Sequence, residues 1–170
     1  MISTDYVTAM ATYNAWQNGQ LIALFDTMDE GDLTADRGAF FGSILGTANH
    51  ILWADRMWMS RLARWKRPEE AIGESPRLAP TRAAWRSERE RVDGRLLHWA
   101  RGLRPAQLRG DLTWYSGATN QEKTQPIALC VMHLFNHQTH HRGQIHAMLT
   151  ALGHDPGVTD LPFAPTDRAA

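Results

Sequence analysis

The chain has 170 residues, 43% hydrophobic and 21% charged, a size and balance that fit one soluble globular domain with a sizeable core. Eighteen basic residues offset eighteen acidic ones, so no electrostatic footprint points to nucleic acid. Cys130 is the only cysteine, which rules out an internal disulfide, and no apolar run of about 18 residues is available to span a membrane. The first residues lack the basic patch and apolar run of a signal peptide, and the expected address is the cytoplasm.

Residues 3–28 read as a first helix. Tyr6, Val7, Met10, Tyr13, Leu21, Leu24 and Phe25 recur at three- and four-residue steps, and Ser3 or Thr4 supplies the cap. Residues 29–42 form a polar connector whose Phe40 and Phe41 are expected to tuck back onto the bundle. Ser43 caps a second helix that runs to about Trp65, with Ile44, Ala48, Ile51, Trp58 and Leu62 on its apolar stripe. His50 sits at the edge of that stripe and Asp55 points into it. A buried carboxylate needs a partner or takes up a proton, and the competing placement for Asp55 is the wet mouth of the bundle.

Residues 66–80, with Pro68, Gly73, Pro76 and Pro80, read as a loop. A third helix follows over residues 81–103, with Trp85, Val92, Leu96 and Trp99 facing inward. Its charge run of Arg86, Glu88, Arg89, Glu90 and Arg91 reads as a solvated face. Residues 110–124 place β-type side chains on either side of Ser116-Gly117, which fits a short irregular hairpin or an ordered loop. Pro126 opens the last helix in its first turn. That helix runs to about Leu152, and the tail beyond it is expected to be extended and mobile at its end.

The last helix carries the densest chemistry: five of the eight histidines fall within residues 133–146. Ile127, Val131, Leu134, Ile145, Leu149 and Leu152 make its buried stripe. His137 and His141, four apart, stand one above the other on the near flank of that stripe, while His133 and His140 project further round. The pair can reach a common point beside the core, with room for a third ligand from another helix, and imidazole suits zinc, iron and nickel. Most such pairs are surface or hydrogen-bonded core residues, and spacing alone favours that reading. His50 occupies the same flank position on the second helix. Cys130 lies two turns before His137 on the histidine face, where a small core residue is the simpler reading. Trp16, Trp53, Trp58 and Trp114 are candidates to line a pocket, and Arg142 is expected to pair with Asp55 and orient the two histidine-bearing helices.

Three segments together resemble the DinB family, the damage-inducible group of metal-binding bundles. They are Tyr13-Asn14-Ala15-Trp16, Asn49-His50-Ile51-Leu52-Trp53-Ala54-Asp55 and His133-Leu134-Phe135-Asn136-His137-Gln138-Thr139-His140-His141-Arg142-Gly143-Gln144. The last is the most specific, because a histidine pair is followed by Arg-Gly-Gln, and the resemblance extends over residues 5–152. It implies an all-α four-helix bundle with long connections, a single domain with its core over residues 3–152. It further implies a three-histidine site for a divalent ion (zinc, nickel or iron) made of His50, His137 and His141, in a homodimer. Related proteins include S-transferases and isomerases that use bacillithiol, mycothiol or glutathione, so a low-molecular-weight thiol is an implied partner, although nothing in the chain matches a particular one.

Three protein nitrogens leave coordination positions open, the pattern of a catalytic site, and an open divalent ion lowers the pKa of a bound water or thiol. Cys130 is too far along the helix to complete a closed site, and His133, one turn away, is the more serious fourth donor. No Glu or Asp stands beside the late pair as a general base, which favours a thiol that brings its own nucleophile. The competing expectations are a non-catalytic metal-binding module and a structural dimer whose histidines capture metal incidentally.

Overall fold

The computed structural model describes residues 1–117 and 119–165. Four long helices form the bundle: α1 (Thr4–Phe25), α3 (Ile44–Ala63), α4 (Arg82–Arg101) and α5 (Ile127–Ala151), with a single helical turn, α2 (Glu30–Thr34), in the first connection. Local chemistry marks where they begin. The hydroxyls of Ser3, Ser43 and Thr81 accept from the backbone N–H groups of Tyr6, Gly46 and Ala84, three otherwise unpaired donors. α3 stops where Arg64 turns left-handed at φ 56°. Pro126 lies just outside α5 as its N-cap rather than in its first turn.

The hairpin expected before the last helix is present. β1 (Asp111–Ser116) pairs antiparallel with β2 (Gln121–Pro126), in a register that sets Trp114 opposite Lys123. Side chains alternate along β1: Leu112, Trp114 and Ser116 are half-buried and the residues between them exposed, as a strand with one covered face requires. The long connection between α3 and α4 is not a featureless loop, because residues Ile72–Arg77 wind into a 3-10 turn that packs on α3 and buries Ser75.

Around the bundle the order of neighbours is α1, α4, α3, α5 and back to α1. Two apolar clusters fill it. One gathers Phe25, Leu52, Trp85, Ile145 and Leu149; the other gathers Val7, Met59, Leu96, Val131 and Phe135. Each such side chain contributes about 1.5–3 kcal/mol by burial. Between the clusters every long helix contributes buried polar residues: Asn18 from α1, Asp55 from α3, Arg89 and Asp93 from α4, Gln138 and Arg142 from α5. No helix among the described residues is long and apolar enough to cross a membrane.

Two further expectations change. Phe41 does fold back, but Phe40 remains 85% exposed. Arg89 is fully buried rather than part of a solvated face, because it lies four residues after Trp85 and three before Val92, on the inner stripe of α4. The tail is extended yet pinned: Tyr13 Oη donates to the Thr159 carbonyl at 2.7 Å and Gln17 Nε2 to that of Val158 at 2.7 Å. The expected mobile end falls on residues 166–170, outside the described residues.

Candidate metal centre

α3 and α5 run side by side, and their facing flanks bring His50, His137 and His141 together. His137 Nε2 stands 3.3 Å from His50 Nε2 and 3.1 Å from His141 Nε2, and the three ligand atoms all lie within 4.8 Å of one another. Nitrogens about 2.0–2.1 Å from one ion at tetrahedral angles would lie roughly 3.3 Å apart, and two edges of this triangle are at that spacing.

Second partners decide which nitrogens carry protons. The Ser75 hydroxyl donates its one proton to the Ile72 carbonyl at 2.7 Å, so it can only accept from His50 Nδ1, 3.0 Å away. His141 Nδ1 faces Gln144 Oε1, an acceptor, at 2.8 Å. In both rings the proton is therefore on Nδ1 and the Nε2 lone pair points into the cluster. Phe41 stacks on the His50 ring at 3.7 Å and meets the edge of His141, holding both rings in plane and shielding them from water.

Burial, reinforced by the other imidazoles, pushes His50 down to about 4 and His137 down to about 3; burial also lowers His141. Three neutral imidazoles aiming lone pairs at one another are a donor set that fits a cation, and the cluster can hold a metal ion.

The same shifts set a pH dependence. Between the ordinary value of 6.5 and about 3–4 the unfolded chain binds protons that the folded, metal-free protein refuses. Stability in chelator should therefore fall as pH drops below about 6.5. Asp93, which burial pushes up to about 6 from 3.8, and Asp55, also raised by burial, act in the opposite sense and offset part of the loss. Thermal midpoints from pH 7.5 to 5 should fall more steeply for the parent than for His137→Gln, and equal slopes would remove His137 as a cause.

The other residues singled out in the sequence divide. His133 and His140 make ring contacts with His137 and His141 but lie outside the cluster. Cys130 is buried, its thiol pushed up by that burial, and is also outside the cluster. Trp53, Trp58 and Trp114 line a cavity of about 470 Å³ that opens against His50 and His137, whereas Trp16 packs on Tyr13.

The expected Asp55–Arg142 pair is replaced by a relay. Asp55 accepts from Arg89 Nη1 at 2.7 Å and from Gln138 Nε2 at 2.6 Å, and Gln138 Oε1 accepts from Arg142 Nη1 at 3.0 Å. The third helix supplies the nearer cation, so Arg142 reaches Asp55 only through an amide. Ser75, Gln144 and Phe41 were not anticipated in these roles. Gln144 sat in view, three residues after His141 on the same face, whereas Ser75 lies in a turn without periodic signal. Glu70 was also missed: it lines the cavity, and its Oε2 is buried with no hydrogen-bond partner among the described residues.

A three-histidine cluster joining the second and last long helices of a bundle is the feature to set beside known families, and a DinB family model matches residues 1–168. The chain belongs to the DinB family. No curated protein matches it. As a DinB protein it combines the helical bundle with a histidine cluster compatible with metal binding, both visible in the structure.

Proposed function

We propose that His50, His137 and His141 hold one divalent ion (zinc, nickel or iron) and that this DinB protein is a metal-dependent enzyme activating a thiol or water, with S-transfer the favoured chemistry. One observation carries the reading: three Nε2 atoms converge at the edge of a cavity, and no fourth donor joins their cluster among the described residues. A site with three protein ligands and an adjoining cavity is the catalytic pattern, whereas structural sites close with four. The ion would supply Lewis acidity, lowering the pKa of a thiol or water that reaches it.

The chain's own residues do the rest. Ser75 and Gln144 hold their imidazoles in the ligating tautomer. Trp53, Trp58 and Trp114 wall the cavity. Glu70 places a carboxylate on that wall, its Oε2 buried without a hydrogen-bond partner among the described residues. The cavity's second occupant is then an electrophile. We further propose a cytoplasmic homodimer without nucleic-acid or membrane partners, in keeping with the balanced charge.

Metal analysis of purified protein should return about one ion per chain. The cobalt-substituted protein should change its visible spectrum when a small thiol or imidazole is added, and thiol transfer to an electrophile panel should stop in chelator. A cobalt spectrum indifferent to both additions would leave a closed, structural site. Ser75→Ala, which removes the orienting partner of His50, should weaken zinc about 10- to 100-fold in competition with a chromogenic chelator. An unchanged affinity would show that Ser75 does not set the tautomer.

A further inference from the structure

The cavity wall away from the histidines carries charge that the chain does not neutralise. Arg61, on α3, is half-buried, and its Cζ lies 4.7 Å over the Trp58 ring and 5.5 Å from that of Trp114. The two indoles meet edge to face at 5.4 Å, so the guanidinium is seated on a rigid aromatic corner. Arg82, Arg86 and Arg89 all reach a carboxylate within 4.0 Å, but no carboxylate of the described residues does so for Arg61. Arg67 lines the same cavity, likewise without an ion pair; burial lowers the Arg61 pKa, and the Arg67 charge adds to that. Glu70 lies on this wall outside ion-pair distance of both guanidiniums, and its carbonyl is occupied by the Trp53 indole N–H at 2.9 Å.

We infer that the cavity takes an apolar carboxylate: Arg61, backed by Arg67, receives the carboxylate, the tryptophan walls hold the body, and the far end reaches the histidine cluster. A planar guanidinium fork matches a carboxylate in a two-point hydrogen bond, which a stacked arginine offers with little loss of side-chain freedom. Trp58 contacts the His133 ring at 5.0 Å and His133 contacts the His137 ring at 5.5 Å, so one continuous wall joins the anion seat to the histidine cluster. A cavity of about 470 Å³ suits a small aromatic or branched acid. The inference rests on the proposed function only in taking this cavity as the substrate side of the cluster.

The test uses naphthalene-2-carboxylate and its carboxamide, titrated by calorimetry and tryptophan fluorescence into chelator-treated protein, where no ion takes part. The acid should bind at least about tenfold tighter than the amide, the scale of one charge-assisted hydrogen bond. Arg61→Gln should erase that preference, Arg61→Lys should keep part of it, and Arg67→Gln should reduce it. Measuring in chelator separates this subsite from the metal reading: a persistent preference beside a silent cobalt spectrum would sink only the latter. Circular dichroism would confirm that each variant is folded, and Arg61→Lys keeps the stacked cation should the glutamine variant fail to fold. Equal binding of acid and amide, no binding of the acid at millimolar concentration, or an undiminished preference in folded Arg61→Gln would each overturn the inference.

Discussion

Replacing His137 with alanine is expected to abolish tight binding of a divalent ion. Its Nε2 is the shared vertex of the triangle, 3.3 Å from His50 Nε2 and 3.1 Å from that of His141, so its removal leaves two nitrogens without their common neighbour. Losing a residue that merely orients a ligand lowers affinity about 10- to 100-fold, and losing a ligand should exceed that. His133→Ala and His140→Ala should leave most of the affinity, because their rings touch the cluster without joining it. Competition with a chromogenic chelator measures all three variants on one scale. Comparable losses from the three would mean that the ion, if bound, is held by a diffuse histidine surface.

What could be read from the sequence was what obeys helical periodicity. His137 and His141 repeat at four residues beside an apolar stripe, and His50 takes the equivalent flank of another helix; their convergence in space follows once those flanks face each other. Arg89 obeyed the same rule, four residues after Trp85, yet its charge and its charged neighbours outweighed its position. Which cation reaches Asp55 depends on how α3, α4 and α5 pack, and no one-dimensional pattern carries that. Ser75, Glu70 and the Arg61 corner escaped for a different reason. They join a turn, a connector, and α3 with the hairpin's Trp114 across long stretches of chain, so their roles exist only in the folded arrangement.

The buried polar layer and the histidine cluster are neighbours on the same helix. Gln138 follows His137 and Arg142 follows His141, so α5 carries a pair of metal-facing side chains and, one position on, a pair of core-facing ones. The layer contains two guanidiniums, Arg89 and Arg142, and two carboxylates, Asp55 and Asp93. Burial lowers Arg142 to about 10, with Tyr13 and Asp55 pulling it back up, so it keeps its charge at neutral pH. Such a layer adds little net stability, since desolvation offsets most of the attraction. Gln138 of α5 donates to Asp55 of α3 at 2.6 Å, so the layer ties these two helices together.

Arg89→Met is therefore expected to destabilise the bundle strongly. Arg89 is fully buried, donates to Asp55 at 2.7 Å and lies 2.8 Å from Asp93, so one substitution deprives two buried carboxylates of their cation. Removing one partner of a buried pair costs about 3–5 kcal/mol, which shifts the urea midpoint by about 1 M or more at an m-value of roughly 1–3 kcal/mol/M. Asp55→Asn should cost less, because it leaves Arg89 its contact with Asp93 and preserves a side chain of the same shape. The pH dependence gives the sign. Without Arg89 the carboxyls rise further above their ordinary 3.8, the folded state binds more protons than the unfolded one, and part of the lost stability should return as pH falls from 7 toward 5. Because Asp55 also holds Gln138 beside His137, the variant should bind zinc more weakly even under conditions where it remains folded. A urea midpoint equal to that of the parent at pH 7 would remove the layer from any part in stability, and a lowered midpoint with unchanged zinc affinity would confine it to that part.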